Sequence, residues 1–317
     1  MSSANEIWAY RTLIQNLTQR ELKSRYKKSV LGRLWALINP ASTLAVYTLV
    51  FGVYLRSSPP TSPTGLSNFA LWLFAALIIW NGFSSILNGS MSALFDAGGL
   101  MGKIYFPPEI PAIANMFSSL LQVATEVLVL VAVLAVLGNV GWSWIVMPLL
   151  ILEMVCFALG LGLMASLLNV FYRDVGYLVS ILMQVLFYGT PIVYSLSDVP
   201  AEVGGFPIRR AVEANPLTQL TEQARQSMYL LQFPTATQMI YTAATCVATL
   251  FLGWWVFCDG PRWPSRRSDH GSHHRRSSVE AVPPVHRPTV VAQGDGPERC
   301  ATALTGIPVR HGTSSPL

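Results

Sequence analysis

The sequence predicts an all-α polytopic membrane protein: six transmembrane helices, an N-terminal amphipathic helix lying in the interface, and a segment of short helices on the outer side between spans five and six. Three observations lead to that class. Of the 317 residues 52% are hydrophobic and only 12% are charged, where soluble domains carry about a quarter, so the chain has too little polar surface for an ordinary globule. Uncharged runs recur along it at close to the ~20 residues that cross a hydrocarbon core. Finally, Arg20, Lys23, Arg25, Lys27, Lys28 and Arg33, against Glu21 alone, abut a run that carries no charge from Leu34 until Arg56. Such a cluster beside the first span follows the positive-inside rule and puts the amino terminus in the cytoplasm.

The formal net charge of +5 is concentrated in this segment. Residues 1 to 35 hold seven Lys/Arg and two Asp/Glu, whereas residues 36 to 258 hold six and nine. The basic balance is therefore an orientation signal and not a nucleic-acid footprint. The amino terminus lacks the basic start, short apolar core and small-residue site of a cleavable signal, so insertion is expected to proceed by the first span itself.

Residues 5 to 19 place Ile7, Tyr10, Ile14 and Leu17 at helical spacing among polar residues. That stripe suits a helix sunk in the acyl boundary or one packed on protein, and the interface is the reading adopted. The first span is about 36 to 55, followed by RSSPPTSPTGLSN, whose prolines and glycine break any helix. The second, about 69 to 92, returns to the cytoplasm at Asp96, Gly98, Gly99, Gly102 and Lys103. A third span of about 112 to 137 and a fourth of about 145 to 168 flank an uncharged outer turn. Arg173 and Asp174 mark the cytoplasmic face before a fifth span of about 176 to 195. The stretch from Ser197 to Met228 mixes acids and bases, which fits an outer location, and a sixth span of about 236 to 257 brings the carboxyl terminus back inside.

From Asp259 onward Arg, His, Ser, Pro and Gly dominate, a composition that cannot bury enough apolar surface to offset chain entropy. Disorder is expected, and the five histidines, all in this stretch, are read as solvated. The chain thus divides into a cytoplasmic interfacial helix and basic segment (1-34), a six-span domain (35-258) and a disordered cytoplasmic tail (259-317). Cys156, Cys246, Cys258 and Cys300 have no short spacing and read as buried thiols or tail residues, with no metal site implied. The nearest thing to a phosphate loop, Gly98 to Ile104, lacks the first glycine at the right spacing and the Ser or Thr after Lys103. No nucleotide or other cofactor is expected on this chain, so any use of ATP needs a separate subunit.

The opening segment carries more than charge. Arg20-Glu21-Leu22-Lys23-Ser24-Arg25-Tyr26-Lys27, with Ser29, Leu31-Gly32, Trp35 and Pro40, resembles the opening of the permease subunits of ABC exporters for lipid-linked polysaccharides, a family that includes O-antigen, teichoic acid and galactan exporters. A generic basic anchor for anionic lipid accounts for the cations but not for the Tyr, Gly, Trp and Pro fixed between them. The resemblance covers roughly residues 5 to 258, and the wording is most similar to actinobacterial galactan exporters. It implies a homodimer in the cytoplasmic membrane that binds two copies of an ATPase carrying ATP and Mg, and that exports a polyprenyl-diphosphate-linked polysaccharide. It also implies that the subunit is not itself an enzyme.

Within that resemblance, Lys103, Tyr105, Phe106, Pro107, Glu109 and Pro111 match the pattern after the second span, where a coupling helix docks on the ATPase, and Tyr172, Arg173 and Asp174 match the second inner loop. By residues alone the prolines simply stop a helix and Arg173 pairs with Asp174 or phospholipid; both readings stand. Arg25, Lys27 and Lys28 beside Tyr26 suit a diphosphate at the membrane surface, while general lipid attraction explains much of the same cluster.

Glu126 and Glu153 are the acids placed within spans, and intramembrane carboxylates are costly enough to suggest function or a partner. They either line a glycan path or bond across helices to Gln122, Ser or Thr. Tyr188 and Tyr194 are placed with them as path lining, against the alternative of an interfacial aromatic belt. A rival class of function, a membrane glycosyltransferase or lipid phosphotransferase on the same carrier, usually needs acids clustered at one face, and here they are scattered.

Overall fold

The computed structural model describes residues 10–26, 34–54, 60–96, 106–172, 174–202 and 204–259. The described chain is helical. Helix α1 is Arg11–Tyr26 and α2 is Trp35–Tyr47, prolonged by a π-helical stretch, Thr48–Tyr54. They are followed by α3, Phe69–Asp96, and α4, Ile110–Val136. A 3₁₀ turn, Trp142–Val146, runs into α5, Met147–Phe171, and α6 is Val175–Gly189. Short α7, Ile208–Glu213, and α8, Pro216–Met228, precede α9, Ala236–Asp259.

Among the described residues five stretches are long and apolar enough to cross a bilayer: Trp35–Tyr54, Phe69–Ala93, Ile110–Val136, Trp142–Phe171 and Ala236–Cys258. They coincide with the first, second, third, fourth and sixth spans read from the sequence. The fifth span is shorter than that reading, since α6 stops at Gly189 and not at 195. Pro191 disfavours a helical Thr190 and offers no N–H of its own, so the chain leaves the helix there.

The centre of the fold is α3, which packs on α4, α5 and α8, while α5 also holds α9. From Ala70 to Trp80 no residue of α3 is more than 9% exposed, so this helix is hydrophobic all round because protein surrounds it. Small residues set the crossings, as expected where no water drives helices together. Gly160 of α5 lies against the backbone of Thr249 and Leu250, and Gly253 of α9 lies against Gly160.

Loops at the start of α3 and the ends of α4 and α8 are tied by side chains. Asn68 accepts from the Ala70 N–H at 3.0 Å and caps α3, and its own N–H donates to the Tyr229 hydroxyl at 2.8 Å. Asn139 donates to the Tyr229 carbonyl at 3.0 Å and accepts from Ser62 at 2.8 Å and Thr64 at 2.6 Å. At α8, Asn215 caps the first turn by accepting from the Leu217 N–H at 3.0 Å, with Pro216 at the first helical position.

Helix α8 also carries a fully buried cation. The Arg225 guanidinium lies 3.5 Å from the Trp72 ring centroid, donates to the Pro191 carbonyl at 2.8 Å and to the Ile192 carbonyl, and pairs with Glu222 at 3.2 Å. These are the carbonyls that the break after α6 leaves without helical partners. Burial draws the guanidinium down to about 10, with Glu222 acting the other way, so it stays charged at neutral pH.

Along the stripe Tyr10, Ile14 and Leu17, helix α1 also packs on protein. Ile14 joins Phe106, Ile110 and Ala114 in a small core, with Tyr10, Leu13 and Leu17 packed on it. The Thr18 hydroxyl adds bonds to the carbonyls of Ile14 at 2.8 Å and Ala114 at 3.2 Å. Helix α1 is thus fastened to the first turns of α4. The predicted tail from 260 lies outside the described residues.

Candidate functional site

A cleft of about 910 Å³ opens between α1, α2, α3 and α4. Its walls are stripes of uncharged polar residues at helical spacing. Helix α3 contributes Asn81, Ser84, Ser85, Asn88 and Ser92, and α4 faces it with Asn115, Gln122 and Glu126. From α2 come Asn39, Thr43 and Tyr47, one turn apart, with Pro40 beside them. Arg20 and Glu21 of α1 stand at the mouth. Counted from Ile110 at about 1.5 Å per residue, Glu126 lies about 24 Å along α4, so the cleft extends well into the apolar helices.

The deep end is organised by Glu126, which is 5% exposed. Asn81 Nδ2 donates to its Oε2 and Gln122 Nε2 to its Oε1, each at 3.3 Å. A glutamine there offers one acceptor oxygen in place of two. Glu126→Gln is therefore expected to leave one amide unbonded, at about 1–3 kcal/mol, and to reduce transport while the chain still assembles. Thermal unfolding of the purified chain reads the first effect and a transport assay the second; unchanged values in both would remove Glu126 from the cleft's function.

Higher in the cleft, Ser85 and Ser119 bond at 3.0 Å, and Asn88 donates back to Ser84 at 2.8 Å on the carbonyl and 3.2 Å on the hydroxyl. Asn115 sits opposite Gly89, where an added Cβ would overlap the Asn115 amide. That glycine is what admits the side chain. The Asn115 Nδ2 has no hydrogen-bond partner among the described residues.

Of the residues selected from sequence, Glu126 alone among the four path candidates reaches this cleft. Glu153 is buried between α5 and α9, beside Thr242. Tyr188 is exposed on α6, and the Tyr194 hydroxyl donates to its carbonyl at 2.8 Å, so the two belong together at the end of α6. Phe106, Pro107 and Glu109 are buried, with Phe106 facing α1, whereas Tyr172 and Asp174 are exposed at the turn between α5 and α6. Lys27, Lys28, Lys103, Tyr105 and Arg173 lie outside the described residues, as do the side chains of Arg25 and Tyr26. The α3 stripe is the feature that sequence reading passed over. Its signal is Asn81, Ser85, Asn88 and Ser92 at i, i+4, i+7 and i+11 in an otherwise apolar helix.

Comparison with known proteins places this arrangement. A family described as ABC-2 type transporter matches residues 12–229. The O-antigen export system permease protein RfbA of Myxococcus xanthus is 30% identical over 253 residues, which cover 80% of this chain and 94% of that protein. A protein of the same name from Klebsiella pneumoniae is 30% identical over 191 residues, 59% of this chain and 71% of its own. The polysialic acid transport protein KpsM of Escherichia coli is 23% identical over 245 residues, covering 76% and 90%.

Proposed function

The chain belongs to the ABC-2 type transporter family, and from that premise we propose that it is the membrane-spanning permease subunit of an exporter for polyprenyl-diphosphate-linked polysaccharide, driven by ATP hydrolysed on a separate subunit. The observation that carries the reading is the cleft, a polar passage cut into helices that are otherwise apolar and entered beside Arg20. Backbone and cargo alike need hydrogen-bond partners at membrane depth, and this lining offers them to sugar hydroxyls. The relatives named for O-antigen export and polysialic acid transport support polysaccharide as the cargo. Galactan as the particular cargo rests on the wording of the opening segment.

Two copies of the chain with two copies of the ATPase, which holds ATP and Mg, make up the assembly. Helix α6 supports the pairing: Tyr177, Leu178, Ile181, Leu182, Val185 and Tyr188 are each more than 60% exposed, an apolar stripe that a second copy across a two-fold axis would cover. Arg25, Tyr26, Lys27 and Lys28 come next in sequence after Arg20 and Glu21, and their residue types suit the diphosphate. Both termini then face the cytoplasm.

The burial of Phe106, Pro107 and Glu109 refines the coupling reading. Motion arriving at this loop passes into α1 through Ile14, and α1 carries Arg20 and Glu21 at the cleft. Tyr172, Arg173 and Asp174 supply the second contact. The test is ATP hydrolysis in proteoliposomes containing this chain and its ATPase. Lipid-linked glycan is expected to raise the rate severalfold, and Arg173→Ala to abolish that rise while the complex still forms. Failure to form a complex, together with no response to glycan, would overturn the reading.

A further inference from the structure

We propose that α2 responds to cargo in the cleft and that Phe51, a positioning residue on its π-helical stretch, passes the change to the outer end of α6 through Phe69, Trp72 and Arg225. The inference rests on the export reading and adds to it the route by which the outer end answers to the cleft.

The first ground is an unbroken run of contacts. Tyr47 lines the cleft, and its ring centroid lies 6.0 Å from that of Phe51. Phe51 lies 4.8 Å from Phe69, and Phe69 lies 5.3 Å from Trp72. These are the separations of interacting aromatic pairs. Trp72 in turn carries the Arg225 guanidinium at 3.5 Å, and that group donates to the Pro191 and Ile192 carbonyls just past α6. The run thus leads from the cleft wall, by way of α3 and α8, to the point where α6 ends. Rings and a planar guanidinium are stiff, so in a close-packed interior a displacement at one end is handed on and not absorbed.

The second ground is a helix with two available forms, since a chain of contacts couples two places only where some element has two arrangements that both can bias. Thr48–Tyr54 is π-helical, a rare form whose i→i+5 bonds take in one residue more than those of an α-helix and which is frequent at functional sites. The residues here hold the α form weakly. Thr48, Val50 and Val53 are β-branched, and Gly52 is a poor helix former. The Thr48 hydroxyl donates to the Leu44 carbonyl at 2.8 Å, a bond that bends helices. Taking up the α form turns the side chains beyond Thr48 by about 100°, one residue's step, which carries Phe51 away from Phe69.

The third ground is how lightly α2 is held within the protomer. Of α2 and its π-helical stretch only Pro40 and Leu44 are buried, whereas α3 from Ala70 to Trp80 is enclosed. A change of form in α2 therefore breaks little packing. Phe69 and Trp72 stand three positions apart on one face of α3, so what reaches Arg225 is a shift of rings along a helix that stays in place. Cargo bearing on Tyr47 then loosens the hold of Arg225 on the end of α6.

The test uses the full complex with its ATPase in nanodiscs, with a hexose oligomer linked to polyprenyl diphosphate as the probe. Val193→Cys, in a chain whose native cysteines are replaced by alanine, reports on the end of α6 by its rate of labelling with a small maleimide, while ATP hydrolysis is followed in parallel. In this parent chain ATP and the probe are expected to raise the labelling rate at least about fivefold, the low end of allosteric coupling. Phe51→Leu keeps an apolar side chain without a ring. It is expected to hold that rise below about twofold and to remove most of the stimulation of hydrolysis at saturating probe. The unstimulated rate and the half-saturating probe concentration should stay within about twofold of the parent, which a loss of binding would not allow. Phe51→Tyr keeps the ring and is expected to restore both responses. A full labelling rise in Phe51→Leu, a loss that Phe51→Tyr shares, or stimulation of the parent without a labelling rise would each overturn the route and leave the export reading standing. No stimulation of the parent by the probe would bring down both.

Discussion

Arg225→Ala is expected to destabilise the protein by about 3–5 kcal/mol, the range found when one member of a buried charged cluster is deleted. The substitution strands the carbonyls of Pro191 and Ile192 in a dry site, at about 1–3 kcal/mol each. It also removes the cation from the face of Trp72, a contact of about 2 kcal/mol when desolvated. The Arg225 side chain is fully buried, so rearranging water cannot take over its bonds. Arg209 is the internal comparison. It too donates to carbonyls, those of Ser197 at 2.9 Å and Val199 at 2.6 Å, but from a partly exposed position where water can replace it. Arg209→Ala should therefore cost about 1 kcal/mol. Arg225→Lys should fall between the two, because an ammonium keeps the charge without the planar fork. Thermal unfolding in detergent ranks the three, and an Arg225→Ala midpoint no lower than that of Arg209→Ala would show that the guanidinium does not hold the end of α6.

The second large effect is expected at the crossing of α5 and α9. A Cβ added at Gly253 would stand 2.7 Å from the carbonyl carbon and 2.8 Å from the Cα of Gly160; one added at Gly160 would stand 2.5 Å from the Thr249 carbonyl oxygen. Those neighbours are backbone, which cannot swing aside as a side chain would. Each Gly→Ala change therefore has to push α5 and α9 apart along their length, at about 3 kcal/mol on the scale of overpacking. Gly189→Ala is the matched control, since nothing lies within 4 Å of the added atom. If Gly160→Ala and Gly253→Ala unfold at the temperature of Gly189→Ala, the two helices do not meet through these glycines.

The features of this fold that could be read from sequence are those that depend on a solvent boundary. Charge-free runs bounded by Arg56, Asp96, Lys103 and Arg173 are forced on any chain that crosses hydrocarbon, and they mark the spans. Glu126 was visible for the same reason, as a carboxylate where one is costly. What could not be read depends on which side chain meets which. The end of α6 is set partly by Pro191, which is visible, and partly by Arg225, which lies 34 positions later and looks like any outer-segment cation. The stripe of α1 has the right period for a lipid-facing helix and for one packed on Ile110 and Ala114, and the contact with α4 appears only in the tertiary structure. Asn81, Asn88 and Asn115 are unremarkable singly, since uncharged polar residues are tolerated in membrane helices for many reasons. They become a site when α3 and α4 bring their stripes face to face around Gly89.

The early end of α6 also shapes how the protein meets its lipids. At 15 residues the helix is about 22 Å long, some 8 Å short of a typical hydrocarbon core, whereas α4 and α5 exceed that thickness. Lipid at the rim of the α6 pairing surface thus meets a step in the protein's apolar boundary, and short-chain or tilted acyl tails fill such a step at the lowest elastic cost. Bilayer thickness for this reason acts on the protein in opposite senses at its different edges, thinning lipid beside α6 and tilting the longer helices.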